Sequence, residues 1–81
     1  MNSTEAAALA ADTTDPRAGL RAVAALRAAA DVLELRQVEA ALRSGMSWQV
    51  IADSLGVTRQ AVHKKYAKRV DPSLLSTRRR A

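Results

Sequence analysis

The 81-residue chain has no cysteine and no phenylalanine, and Trp48 and Tyr66 are its only large aromatic residues. Without cysteine, the chain can form neither a disulfide framework nor a thiolate metal site. A single histidine, His63, supplies too few ligands for a metal cluster, so we expect no metal and no cofactor. The shortage of aromatic side chains leaves Leu, Val and abundant Ala to build the core, and alanine favours helices. The composition therefore predicts an all-α fold.

Long apolar runs are also missing. No stretch approaches the ~18 apolar residues of a membrane span, and the N-terminus lacks the basic-then-apolar order of a signal peptide. We therefore expect no membrane partner and a soluble protein of the cytoplasm.

The sequence also lacks the combinations of residues that form catalytic sites. Around one histidine no set of nucleophile, base and orienting group can be assembled, and the sequence has neither a glycine-rich phosphate loop nor a paired-carboxylate pattern. A chain of this length also lacks the volume for a substrate cleft of ordinary size. We therefore expect a protein that is not an enzyme.

Positive charge is concentrated near the C-terminal end. Residues 1–58 carry five Lys or Arg and seven Asp or Glu, whereas residues 59–81 carry eight and one, which gives −2 and +7 within a net charge of +5. A basic segment by itself indicates either a solvated surface or one that binds a polyanion. The helical pattern of the same segment favours the second interpretation.

The N-terminal half predicts a leader followed by one long helix. Residues 1–15 have little to bury, so we expect a flexible leader, with a short helical turn as the alternative. Asp15 followed by Pro16 is a helix-start signal, because the carboxylate can cap the helix and proline suits its first position. We predict one helix over residues 16–44, from Pro16 to Arg43 and stopped by Gly45, with a break near 28–31 as the alternative.

This long helix has more apolar surface than one packed face requires. Its apolar residues span roughly 200° of the circumference, against ~100° for a single packed face. Leu35, Val38 and Leu42 lie on the part that should pack against the helices that follow. The remaining apolar residues of the long helix would pair with a second chain or fold back on a helical N-terminus. Alternatively, the wide apolar surface merely reflects the abundance of alanine. We expect a homodimer whose interface contains Leu20, Val23, Leu26, Ala30 and Leu33.

Residues 45–71 predict two short amphipathic helices joined by a tight turn. Ser47 and Thr58 are the expected N-caps, and Gly56 follows the first helix where a positive φ is required. The second helix should run over residues 58–70. The residues expected to face inward are Trp48, Ile51, Ala52 and Leu55 on the first helix, Val57 between the helices, and Ala61, Val62, Tyr66 and Val70 on the second.

The last segment, residues 72–81, predicts a disordered basic tail. Asp71 precedes Pro72, and a residue before proline is pushed out of the helical region, so the preceding helix should end there. The tail would add phosphate contacts through Arg78, Arg79 and Arg80, or it would be inert.

The segment from Ser47 to Tyr66, SWQVIADSLGVTRQAVHKKY, resembles the helix-turn-helix of bacterial DNA-binding regulators. It is most similar to the small helix-turn-helix proteins common in high-GC bacteria. Ala52, Gly56 and Val62 occupy the small, turn and branched apolar positions of that pattern. Lys65 departs from the pattern, since many members carry an apolar residue there, and we expect Tyr66 to take over its burial. The resemblance covers about a quarter of the chain and implies a trihelical helix-turn-helix domain with a long N-terminal helix.

By position, the resemblance implies which residues face DNA bases. Arg59 can pair with guanine and Gln60 with adenine, unless both are only solvated. Thr58 can offer its methyl group to thymine, or serve only as a cap. The residues expected to face bases are Thr58, Arg59, Gln60 and His63, with Lys64 at the boundary with the backbone. The residues that suit phosphates are Ser47, Gln49, Lys68 and Arg69, with Arg78, Arg79 and Arg80 in the tail.

These patterns predict a sequence-specific protein that binds double-stranded DNA, a dimeric transcriptional regulator associated with the nucleoid. Two alternatives remain open. The helix-turn-helix could be an adaptor that binds another protein through the long apolar arm, or the basic end could bind DNA or RNA without sequence selection.

Overall fold

The structure, a computed structural model, describes residues 2–75, and among these residues it contains helices and no strands. The four longer helices are α1 (Ser3–Ala11), α2 (Pro16–Arg43), α3 (Trp48–Leu55) and α4 (Arg59–Tyr66). The all-α class is therefore confirmed. The chain divides into two compact units, Met1–Leu33 and Glu34–Ala81.

The first unit contains α1 and the N-terminal part of α2. The side chain of Asn2 caps α1 by accepting a hydrogen bond from the backbone N–H of Glu5 at 2.8 Å. A Cβ placed on Gly19 would lie 3.4 Å from the carbonyl oxygen of Asp12, so the end of α1 comes close to the first turns of α2. The sequence predicts a flexible leader over residues 1–15. The structure instead has a capped helix there, in which Ala6 is buried.

The residues predicted to form a dimer interface differ in their exposure. Val23 and Leu26 are half-buried within the first unit, whereas Ala30 is exposed. Leu20 and Leu33 remain 70% and 57% exposed. Of the five residues predicted to form the interface, two are therefore partly covered within the first unit and three are exposed.

The predicted long helix is confirmed. α2 runs without interruption from Pro16 to Arg43, and the alternative break at 28–31 is absent. As expected from the sequence, the Asp15 carboxylate accepts a hydrogen bond from the backbone N–H of Ala18 at 3.3 Å. At the other end Gly45 has a φ of +88°, which is the left-handed conformation that terminates helices. None of the helices described between residues 2 and 75 has both the length and the apolar character needed to cross a lipid bilayer.

The second unit has one core, shared by the C-terminal part of α2 with α3 and α4. This arrangement confirms the predicted inner faces of Val38 and Leu42 on α2 and of Val62 and Tyr66 on α4. Tyr66 is the largest fully buried side chain, with 1% exposure, so it does take over the burial that Lys65 lacks. The buried residues of the core are Val38, Leu42, Trp48, Ile51, Ala52, Val62, Tyr66 and Val70, with Leu35, Ala41, Met46, Leu74 and Leu75 packed against them.

Three residues predicted to face inward are exposed instead. Leu55 and Val57 line a crevice of about 80 Å³ beside Val62, so each is covered on one side and open to solvent on the other. Ala61 lies one residue before Val62, roughly 100° around the helix, and is exposed for that reason.

Local hydrogen bonds fix where α3 and α4 begin. The Ser47 and Thr58 hydroxyl groups accept hydrogen bonds from the backbone N–H groups of Val50 at 3.2 Å and of Ala61 at 3.1 Å, as predicted for N-caps. Gly56 has a φ of +71° and ends α3. Three residues therefore suffice to turn the chain from α3 into α4.

The chain after α4 differs from the sequence prediction. The helix expected over residues 58–70 ends at Tyr66, and residues 67–70 form turns in which Val70 still reaches the core. Residues 72–75 are helical rather than a disordered tail. The Asp71 carboxylate accepts a hydrogen bond from the backbone N–H of Ser73 at 3.0 Å, so Asp71 starts this segment as well as following α4.

Candidate nucleic-acid interface

One side of α4 is polar and exposed along its whole length. We call this side the α4 outer face, and it consists of Arg59, Gln60, His63 and Lys64. All four residues are exposed. At about 100° per residue they lie within an arc of roughly 140°. The buried side chains of Val62 and Tyr66 are centred about 110° from the middle of this arc and hold the helix against the core. Four of the five residues predicted to face bases therefore share one accessible surface.

Thr58, the fifth of these residues, stands at the cap of α4. Its Oγ1 atom accepts the hydrogen bond from Ala61, which confirms the cap. The residue is exposed, so a ligand could still approach it. Its contact with a base stays a prediction.

The α4 outer face is joined to the start of α3 by a contact between two rings. The His63 and Trp48 rings lie edge to face, with centroids 5.2 Å apart and an interplanar angle of 80°. Trp48 is the first residue of α3 and directly follows the Ser47 cap. The sequence does not predict this contact, because its pattern places Trp48 in the core and His63 among the residues that face bases.

The residues predicted to face phosphates fall into different surroundings. Ser47 is half-buried, and its hydroxyl group already caps α3. The Gln49 amide donates a hydrogen bond to the Asp53 carboxylate at 2.8 Å, so an acidic group lies beside it. Lys68 and Arg69 are exposed in the turns after α4 and carry the positive charge of this surface further along the chain. Arg78, Arg79 and Arg80 lie outside the described residues.

A second polar cluster, which we call the Glu34 cluster, consists of Glu34, Lys65 and Tyr66. The Lys65 ammonium donates to Oε2 of Glu34 at 3.1 Å, and the Tyr66 hydroxyl group donates to the same oxygen. The Lys65 nitrogen also lies 5.2 Å from the centroid of the Tyr66 ring. The hydrogen bond with Glu34 raises the pKa of Lys65, and burial together with the Glu34 bond raises the pKa of Tyr66.

The sequence does not predict the Glu34 cluster, because Glu34 lies 31 residues before Lys65 and 32 residues before Tyr66. One feature of the sequence pointed to this cluster. Lys65 stands where the helix-turn-helix pattern in Sequence analysis has an apolar residue in many members. A cation at the edge of a core needs a partner, but the sequence does not say which carboxylate supplies it.

An apolar groove of about 220 Å³ lies between the C-terminal part of α2 and α3. It is larger than the crevice of about 80 Å³ beside Val62. The side chains that line it are Glu34, Gln37, Val38, Ala41, Met46, Ile51, Ser54 and Leu55.

Within residues 2–75, no three acidic or histidine side chains are grouped so that they could hold a metal ion. Comparison of the chain with known protein families, curated proteins and solved structures finds no match. Any functional assignment therefore depends on the residues themselves and on their geometry.

Proposed function

We propose that this chain is a sequence-specific double-stranded-DNA-binding protein, a dimeric transcriptional regulator associated with the nucleoid rather than an enzyme. In this proposal the C-terminal part of α2 forms a trihelical helix-turn-helix domain with α3 and α4. The α4 helix enters the major groove. The observation that carries the proposal is the α4 outer face, where four polar residues are exposed on a helix that Val62 and Tyr66 anchor in the core.

The size and chemistry of this face suit the major groove. The groove is about 12 Å wide and admits an α-helix. Arg59 presents the fork of donors that pairs with guanine O6 and N7, and Gln60 presents the donor and acceptor that pair with adenine. Each such pair discriminates between bases by roughly 1–3 kcal/mol.

Contacts with phosphates would position the domain without reading sequence. Lys68 and Arg69 are exposed just beyond α4 and suit this role. The backbone N–H groups at the start of α3 also suit an anion, because a helix N-terminus carries a partial positive charge. Gln49 is a weaker candidate than the sequence indicates, since its amide is already bonded to the Asp53 carboxylate.

Selection of bound fragments from random duplex DNA tests this function. We expect a palindromic consensus, because a homodimer presents two identical helices. The binding constants of the selected and random duplexes are then measured over a range of salt concentrations. A protein that enriches no sequence and binds both duplexes equally would overturn the proposal and favour a nucleoid-type protein without sequence selection.

Two substitutions separate the proposed roles. Arg59→Ala should lower affinity for the selected duplex by about 5- to 150-fold and leave binding to random duplex less affected, because a base contact is lost. Lys68→Ala should weaken binding to both duplexes alike and reduce the salt slope by about 0.9. Arg36→Ala is the matched control, since Arg36 is exposed on α2 about 160° around the helix from the buried Val38.

A protein–protein adaptor is the second candidate. It is favoured by the apolar groove between α2 and α3, together with the exposed side chains of Val50 and Val57. Light scattering after size-exclusion chromatography distinguishes it. A purified chain that is monomeric, enriches no duplex and associates only with a second protein would support the adaptor over the DNA-binding dimer.

A further inference from the structure

Two neighbouring lysines on α4 lie in different surroundings. Lys64 belongs to the α4 outer face and makes no ion pair within residues 2–75. Lys65 is bound to the Glu34 carboxylate at 3.1 Å and lies against the Tyr66 ring. The same charged group is therefore available to a ligand at one position and engaged by the protein at the next.

The position of Lys65 on the helix adds to this contrast. Lys65 is two residues after His63, about 200° around α4, so it points toward α2 rather than along the outer face. Its partner Glu34 is on α2 and is 27% exposed, while Lys65 is 43% exposed. A phosphate that approached Lys65 would also meet the carboxylate of Glu34, and the two charges largely cancel at that distance.

The Tyr66 hydroxyl group makes the Glu34 cluster more than a surface ion pair. An isolated exposed pair contributes little because two long side chains must be held in one geometry. Here the phenol is buried in the core and donates to the same carboxylate oxygen as Lys65, so Glu34 is held from a fixed point. Glu34 consequently connects α2 to α4 through two successive residues, which restricts rotation of α4 about its own axis.

We propose that Glu34 is a positioning residue for DNA binding, which withholds Lys65 from the phosphates and fixes the rotation that turns the α4 outer face toward the bases. This inference rests on the proposed function. It accounts for the ion pair that Lys65 makes with Glu34 at the edge of the core. Lys65 serves the internal arrangement of the domain, and its charge does not add to the affinity for arbitrary duplexes.

The two lysines provide the first test. The chain is titrated with a random duplex of about 20 base pairs at several salt concentrations, and the slope of log K against log salt is measured. Lys64→Gln should reduce the slope by about 0.9, as expected for one lost phosphate contact. Lys65→Gln should leave it unchanged. Equal losses for the two variants would overturn the proposal.

Glu34 provides the second test, with Glu39→Gln as its matched control on the same helix. Glu34→Gln should steepen the slope by about 0.9, because Lys65 is released to a phosphate, and should lower the ratio of selected to random affinity by about twofold or more. Adding Lys65→Gln to Glu34→Gln should restore the parental slope. A Glu34→Gln protein that behaves like Glu39→Gln would overturn the proposal.

Circular dichroism of each variant shows whether it is folded. If Glu34→Gln does not fold, the comparison of Lys64→Gln with Lys65→Gln still tests the proposal. Both lysine side chains are exposed, so we expect these two variants to fold. A parent that binds no duplex at low salt would remove the proposed function and this inference together. A parent that binds duplex without sequence preference would remove only sequence specificity, and the slopes of the four single variants would still support or overturn the role of Glu34.

Discussion

Tyr66 both fills the core of the second unit and makes a hydrogen bond at its edge. Its ring fills the centre of the core, while its hydroxyl group finds a partner in Glu34. A buried hydroxyl group without a partner would cost about 1–3 kcal/mol, so the carboxylate is required by the phenol as much as by Lys65. The same acceptor therefore satisfies a core residue and a surface cation.

The Glu34 cluster predicts how stability changes at alkaline pH. The pKa values of Lys65 and Tyr66 are raised above their ordinary values of 10.5 and 10.0, so the folded protein holds both protons more tightly than the unfolded chain does. The resulting stabilisation is fully present below about pH 10 and is lost as the pH rises further. Urea midpoints measured from pH 8 to pH 12 should fall steeply for the parent. The fall should be shallower for Glu34→Gln, and parallel curves would contradict the assignment.

At the scale of elements, the caps and turns were the features that the sequence predicted best. Ser47, Thr58 and Gly56 hold the predicted positions because each acts through backbone groups three or four residues away. Helical periodicity predicts most of the inner faces of α3 and α4 correctly, but it also places Leu55 and Ala61 inward, and both are exposed. What periodicity could not supply was the partner of each exposed polar residue, as the Glu34 cluster and the ring contact of His63 show.

The pair Asp71–Pro72 shows how one signal can have two interpretations. The sequence pattern predicts a helix start at Asp15–Pro16 and a helix end at Asp71–Pro72. The structure uses both pairs in the same way, with the aspartate before a helical segment that begins at proline. The second segment, residues 72–75, is short and has few apolar residues, so it gives little periodicity to recognise. Burial of Leu74 and Leu75 against the core could not be inferred from the local pattern.

The cap of α4 provides a prediction that separates structure from recognition. Thr58→Ala should destabilise the free protein by about 1 kcal/mol, because the N–H of Ala61 loses its acceptor. Thr58→Ser keeps the hydroxyl group and should leave the urea midpoint close to that of the parent. If the methyl group of Thr58 touches thymine, the serine variant should nevertheless lose preference for the selected duplex. Identical preference in the parent and the serine variant would leave Thr58 as a cap only.

The segment after α4 provides a second prediction at this scale. Leu74→Ala should lower the free energy of unfolding by about 1 kcal/mol, since a partly buried leucine leaves the core cluster. The comparison is Val32→Ala on α2, where a side chain that is 54% exposed should matter by less than about 0.5 kcal/mol. Equal urea midpoints for the parent and Leu74→Ala would mean that this segment does not contribute to the core.

At the scale of the whole molecule, charge and apolar surface are distributed unequally. Residues 59–81 carry a net charge of +7, while α2 leaves leucine side chains exposed in the first unit. A single domain of the second unit's size would read only a few base pairs, so a specific operator requires a second copy or a second protein. The exposed leucines of the first unit are the surface through which we expect the second copy to bind.

Two adjacent residues of α2 test this dimer. Leu33→Asp should give a monomer in light scattering, because a carboxylate would be buried without a partner in the predicted interface. Val32→Asp is the matched control, since Val32 is exposed to a similar degree but lies about 100° around the helix and outside the predicted interface. The parent and the control should be dimers of identical mass. A Leu33→Asp protein that is still a dimer would show that Leu33 is not part of the dimer interface.

The ring contact of Trp48 with His63 also gives the protein an intrinsic optical signal. Trp48 is the only tryptophan of the chain, so its emission is not mixed with that of another indole. Because His63 belongs to the α4 outer face, a duplex bound there should change the surroundings of the indole and shift or quench its fluorescence. His63→Asn should reduce this change at equal occupancy, which is determined independently by gel shift. Occupancy of the proposed interface could then be followed in solution without attaching a dye to either molecule.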